Sequence, residues 1–205
     1  MFLVLTTGLA LSACQPQPQS TDTTTTSTIP LIQAQTTPVS LTKDQVCYLE
    51  TAEESASCTK YHLQSITSNV PWIDQYFHER LKQDHKEAFD PAPLPEVTLD
   101  PELPSTNYST ASVRYVSQHY QLATFEYFSD YFPAGAAHGM HHIDYVVFDL
   151  KQKQRLTLND IVVPAQKEAL KAELFDYNRE WLEQRHIAIQ DFELSDNFYF
   201  GASGL

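Results

Sequence analysis

The chain has 205 residues, 26 acidic and 13 basic side chains, and a formal net charge of -13. Of its five glycines, Gly8 sits in an apolar N-terminal run, and the others are Gly135, Gly139, Gly201 and Gly204. These counts exclude a phosphate loop or dinucleotide fingerprint, which needs clustered glycines, and a nucleic-acid-binding role, which needs a basic face to neutralise phosphates.

Residues 1–13, MFLVLTTGLALSA, carry no charge. The run is shorter than the roughly 20 apolar residues of a permanent bilayer span, and it suits the apolar part of an export signal. Leu11-Ser12-Ala13-Cys14 resembles the lipobox of bacterial lipoproteins, where the cysteine is diacylated and becomes the new N-terminus. The resemblance makes residues 1–13 a lipoprotein signal, Cys14 the lipidation site and the membrane a partner through Cys14. No Lys or Arg precedes the run, so the true start is expected upstream of Met1. Gln15 stands where an Asp would favour inner-membrane retention, so the resemblance favours the outer membrane.

Residues 14–40 are rich in Thr, Gln and Pro and hold one charge, Asp22. Such a stretch buries too little apolar area to offset its ordering entropy, so it reads as a disordered tether. Cys47 and Cys58 follow in a short acidic segment. An exported protein meets an oxidising compartment, and the two cysteines make an even pair. A disulfide is expected, stabilising by roughly 2–4 kcal/mol; zinc is the alternative, but no CxxC supports it.

Residues 41–90 read as a small α/β subdomain carrying that disulfide. Tyr61 to Thr67 is a strand. Ser68 or Asn69 caps a helix with Pro71 in its first turn, running to about Glu87, with Ile73, Phe77 and Leu81 inward. Pro91, Pro93, Pro95, Pro101 and Pro104 mark residues 91–110 as an extended connection.

Residues 111–205 form a second unit. Alternation around Val113 and Tyr115, through Tyr120 to Phe128, and from His142 to Asp149 predicts strands, the middle one covered on both faces. Lys151 to Gln154 is a turn, and Leu156-Thr157-Leu158 resumes the strand. Asn159-Asp160 offers a cap and Pro164 a first position for a helix of about 20 residues. On it Leu170, Leu174, Tyr177 and Trp181 form an apolar stripe expected to face the core. Phe198 to Phe200 starts another strand, Gly201 and Gly204 suit a turn, and no return strand follows. The expected fold is therefore α+β, an antiparallel sheet with two main helices packed on one face and its C-terminal strands missing.

The segment from Tyr131 to His142, followed by IDYVVFDLKQKQRLTLNDI, is the most distinctive. It resembles the extracellular domain of the anti-sigma factor RsiV, also appended to the peptidoglycan deacetylase PdaC. The likeness rests on a turn of Gly135, Ala136 or Ala137, His138 and Gly139, then Asp149-Leu150, then Leu156-Thr157-Leu158 with Asp160, then the aromatic end from Phe198 to Leu205. The resemblance implies a cell-envelope binding protein on the periplasmic side, with lysozyme or a cell-wall component such as peptidoglycan as partner. A domain associated with a peptidoglycan hydrolase or deacetylase, or a structural envelope lipoprotein, is the alternative.

No cofactor or metal is expected. His138, His141 and His142 form the only histidine cluster, yet in a strand His141 and His142 face opposite sides. His138 and His142 converging with Asp144 is the metal reading; a turn histidine bonded to backbone is the structural one. No GxSxG elbow is present, so Ser117 or Ser129 near His138 makes a weak hydrolase, and Glu126 with Asp130 a weak glycosidase pair. Residues 87–149 hold nine acids and the single base Arg114. Such a field steers cationic partners, and animal lysozymes are basic.

Overall fold

The computed structural model describes residues 28–49, 56–94, 97 and 106–199. The signal, Cys14, the tether as far as residue 27, Pro95, Pro101, Pro104, Phe200, Gly201 and Gly204 lie outside the described residues.

The fold is α+β. The strands are β1 (Ala34–Pro38), β2 (Gln45–Leu49), β3 (Ala56–Ser68), β4 (Thr106–His119), β5 (Leu122–Phe132), β6 (Met140–Asp149) and β7 (Gln154–Leu156). They form one seven-stranded sheet in the order β1-β3-β4-β5-β6-β7, with β2 also on β3. β2 pairs with the first part of β3 and β1 with its last part. β3 and β4 run parallel, and the other pairs are antiparallel. A parallel pair needs a crossover connection, which α1 (Pro71–Asp84) and α2 (Lys86–Phe89) provide. Strands from both sides of the Pro-rich connection are thus neighbours in one sheet, and β4 begins at Thr106, before residue 111.

Residues 34–38 correct the expected tether, which ends earlier than Ser40. Ile32 is buried, its N–H donates to Gln118 Oε1 at 2.8 Å, and Thr36 Oγ1 donates to the Val113 carbonyl at 2.6 Å. Threonine suits a pleated strand once a partner edge is present.

α1 lies on the sheet with Ile73, Phe77 and Leu81 fully buried. The ring of Phe148 on β6 meets Trp72, Tyr76, Phe77 and Phe125 at centroid distances of 5.1–5.8 Å. Such pairs contribute about 0.5–1.5 kcal/mol beyond area burial. The cap is Val70, not Ser68 or Asn69. Ser68 instead bonds Asp74 through its N–H (2.9 Å) and hydroxyl (2.6 Å), and Asn69 ties back to Gln33 and Leu31. The helix stops at Asp84, where His85 breaks it. β5 is covered on both faces as expected: Ala123, Thr124, Phe125, Glu126 and Tyr127 are all buried.

The C-terminal third departs further from expectation. β7 ends at Leu156, and Asn159-Asp160, expected to cap the long helix, lie inside a short helix, α3 (Leu158–Ile161), which Thr157 caps, its N–H donating to Asp160 Oδ2 at 2.7 Å. That reciprocal box satisfies two helix-end donors at once. The long helix is split into a 3-10 turn (Pro164–Gln166), α4 (Lys167–Tyr177) and α5 (Arg179–Glu183). Asn178 breaks it, its side-chain amide donating to the Leu174 carbonyl at 2.9 Å. The stripe Leu174, Tyr177 and Trp181 is exposed, Tyr177 by 88%. Phe175 and Leu182 are buried instead, with Phe192 ring-to-ring against Phe175 at 6.0 Å. Phe198 and Tyr199 are not in a strand.

Candidate functional site

The turn picked out by sequence, residues 133–139, closes the β5–β6 hairpin and is built from local backbone chemistry. Gly135 has φ 72°, a left-handed conformation that disfavours any side chain. The Ala136 N–H donates to the Pro133 carbonyl at 3.2 Å. At Gly139 a Cβ would stand 2.9 Å from Asp130 Oδ1 and 3.2 Å from the Tyr131 carbonyl, so a side chain there would crowd the turn. His138 is exposed, with Nδ1 3.2 Å from the Gly139 carbonyl oxygen. Gly135, Ala136, His138 and Gly139 thus lie together in one fixed turn.

Asn107, at the start of β4, anchors that turn. Its Oδ1 accepts from the Ala134 N–H at 2.8 Å, and its Nδ2 donates to Thr59 Oγ1 at 3.5 Å. Sequence reasoning missed Asn107, because a lone Asn beside a strand carries no pattern. The Cys47–Cys58 disulfide lies at the same end of the sheet. The two cysteines are register partners across β2 and β3, with Cα atoms 3.9 Å apart, and Cys58 sits beside Thr106.

Around this end stand exposed apolar side chains: Tyr48, Tyr108, Tyr131, Phe132 and Met140, the last 64% exposed. Tyr108 and Phe132 are register partners on the sheet face away from α1, and His62 stacks on Tyr108 at 6.3 Å. Carboxylates are interleaved. Partial burial, then Glu87 and Asp90, push the Tyr48 phenol above its ordinary pKa, and burial with Glu87 pushes Tyr61 up to about 12. A hollow of about 260 Å3 lies beneath, lined by His85, Ser109, Ser129, Tyr131 and Met140.

The other candidate chemistries are not assembled. His142 Nε2 meets Asp144 Oδ1 at 2.7 Å, whereas His138 bonds within its own turn. Among the described residues no three His, Cys, Asp or Glu side chains converge as a metal site. Arg114 grips Glu126 with two bonds of 2.7 and 2.5 Å, and its hydrogen bonds hold the carboxyl below the usual range against an opposing burial effect. A serine–histidine contact does exist, but it joins Ser109 Oγ to His85 Nδ1 at 3.3 Å, not Ser117 or Ser129 to His138.

No family model matches the chain, and no curated protein matches it. Among solved structures it is similar to a DUF3298 family protein from Pseudomonas aeruginosa PAO1, at 20% identity over 78% of this chain and 70% of that one, with a TM-score of 0.46. It is also similar to a member of the DUF3298 family from Bacteroides fragilis NCTC 9343, at 13% identity over 84% of this chain and 81% of that one, with a TM-score of 0.48.

Proposed function

We propose that this chain is an exported, lipid-anchored binding module that holds a basic protein of the lysozyme type against the loop end of its sheet. One observation carries the reading. A turn fixed by Gly135, Gly139 and Asn107 is ringed by exposed Tyr48, Tyr108, Tyr131, Phe132 and Met140, with Glu87, Asp90 and Asp130 nearby. Aromatic residues and Met are enriched in the buried centres of protein interfaces. A turn held in place before binding lowers the ordering cost of association. The net charge of -13 adds attraction for a cationic partner.

The compartment is part of the same proposal. A disulfide fits an oxidising site, and Cys14 resembles the lipidation site of a lipoprotein facing the periplasm, with the outer membrane favoured. No helix among the described residues is long and apolar enough to cross a membrane.

The test is binding of basic lysozyme to the mature chain at low salt and at about 0.5 M salt, where the Debye length falls to a few ångströms. Binding at low salt that weakens at least about tenfold at high salt is expected. No binding at low salt overturns the partner. Lipid labelling of the Cys14→Ser variant tests the anchor separately; label that persists overturns it.

A further inference from the structure

A cleft of about 480 Å3 opens between α1, β6 and residues 195–197. One wall is organised by Arg80. Its guanidinium lies over the Tyr127 ring, 3.9 Å from the centroid, pairs with Asp144 and stands 3.5 Å from Asp84. The Tyr127 hydroxyl donates to Asp84 Oδ2 at 2.8 Å. The facing wall is organised by Asn197. Its Oδ1 accepts from the Tyr145 N–H at 2.7 Å and its Nδ2 donates to the Ile143 carbonyl at 2.8 Å. β7 pairs only with Val147 to Asp149, so this amide takes the place of a strand's peptide group farther along β6. Asp196 is fixed too, accepting from the Leu158 N–H at 2.7 Å.

Both walls are therefore set before any ligand arrives. Glu79, Gln83 and Arg155 add further polar groups to the rim, and Arg155 has no ion pair among the described residues. The charges are mixed. An anion drawn to Arg80 and Arg155 meets Asp84, Asp144 and Asp196, and a cation drawn to those carboxylates meets the two arginines. A hydroxyl group both donates and accepts, so it suits carboxylate, amide and guanidinium at once. Tyr76 supplies ring area for the C–H face of a pyranose. The volume lies within the range of small-molecule pockets, roughly 300–1,000 Å3.

We propose that the cleft between α1 and β6 is a binding site for a neutral sugar, one or two pyranose units long. The proposal is independent of the basic-protein reading above.

The test is an amide NMR titration of the whole folded chain with N,N'-diacetylchitobiose, with cellobiose and with inorganic phosphate. The wild type is compared with the double variant Gln83→Ala/Arg155→Ala and with Gln64→Ala on the far sheet face. One disaccharide should shift the amides of Glu79, Gln83 and Arg155 saturably. The double variant should bind at least about tenfold more weakly, as loss of about 1.4 kcal/mol implies, and Gln64→Ala should bind as the wild type does. Absence of saturable shifts with both sugars overturns the proposal. So does equal affinity in the double variant, and so does a response to phosphate alone, which would make this an anion site.

Discussion

His85 sits where α1 ends, 8% exposed, with Nδ1 facing the Ser109 hydroxyl, its ring edge-on to Tyr61, and Nε2 without a hydrogen-bond partner. Burial lowers its pKa, and Asp84 and Glu87 offset only part of that. The folded protein holds the imidazole neutral, while the unfolded chain protonates near pH 6.5. Its stabilising share is complete above that pH and declines below it, by at most about 1.4 kcal/mol per pH unit. Urea unfolding at pH 7.5 and 5.5 should show this loss, and His85→Gln should flatten it; equal slopes for the two proteins would assign the loss elsewhere. Gly139 makes a second residue-scale case. Gly139→Ala should cost about 1–3 kcal/mol, because the new methyl would press on the Tyr131 carbonyl, a backbone atom held in β5, at 3.2 Å, while the Asp130 side chain can turn away. An unchanged melting temperature would refute the tight fit. Glycine scarcity made Gly135 and Gly139 legible in the sequence. Asn107 was not, because its anchoring role depends on a hairpin turn that lies far along the chain.

At the scale of elements, α1 was readable because Pro71 in its first turn and a four-residue repeat agree with its buried face. The second helix was not. Its stripe at Leu170, Leu174, Tyr177 and Trp181 has helical spacing, yet Asn178 breaks the helix and the chain's own residues near Phe192 cover the Phe175–Leu182 side. Periodicity locates an amphipathic face but does not say which edge of it finds a partner. Leu182→Ala should therefore cost about 2–4 kcal/mol, whereas Tyr177→Ser should stay within about 0.5 kcal/mol. The reverse order in chemical denaturation would restore the stripe as core. The disulfide joins β2 to β3 across a short loop, and its reduction should lower stability by roughly 2–4 kcal/mol. A reduced protein as stable as the oxidised one would remove that role.

For the whole molecule, composition and hydrophobic patterning together set the class correctly: an acidic α+β protein with alternating strands and one well-packed helix. Pairing was out of reach. The sequence shows neither that β3 serves β1 and β2 at once nor that β3 and β4 run parallel, since both depend on contacts across long separations. The charge reading also needs the structure. Of the acids between residues 87 and 149, Glu126 is gripped by Arg114, Asp144 by Arg80 and His142, and Asp149 accepts the turn amides of Lys151 and Gln152. Among the described residues, Glu87 and Asp130 are left for a cationic partner at the same end as the exposed aromatics.

That convergence is tested most directly by measuring, at low salt, the affinity for basic lysozyme of the wild-type chain, of Tyr131→Ala/Met140→Ala and of Tyr177→Ala. Interface anchors of this kind cost more than about 1 kcal/mol each when truncated. The double variant should therefore bind at least about tenfold more weakly while keeping its melting temperature, and Tyr177→Ala should match the wild type. Equal affinities for all three proteins, or a wild type that does not bind, would contradict a binding surface at the loop end.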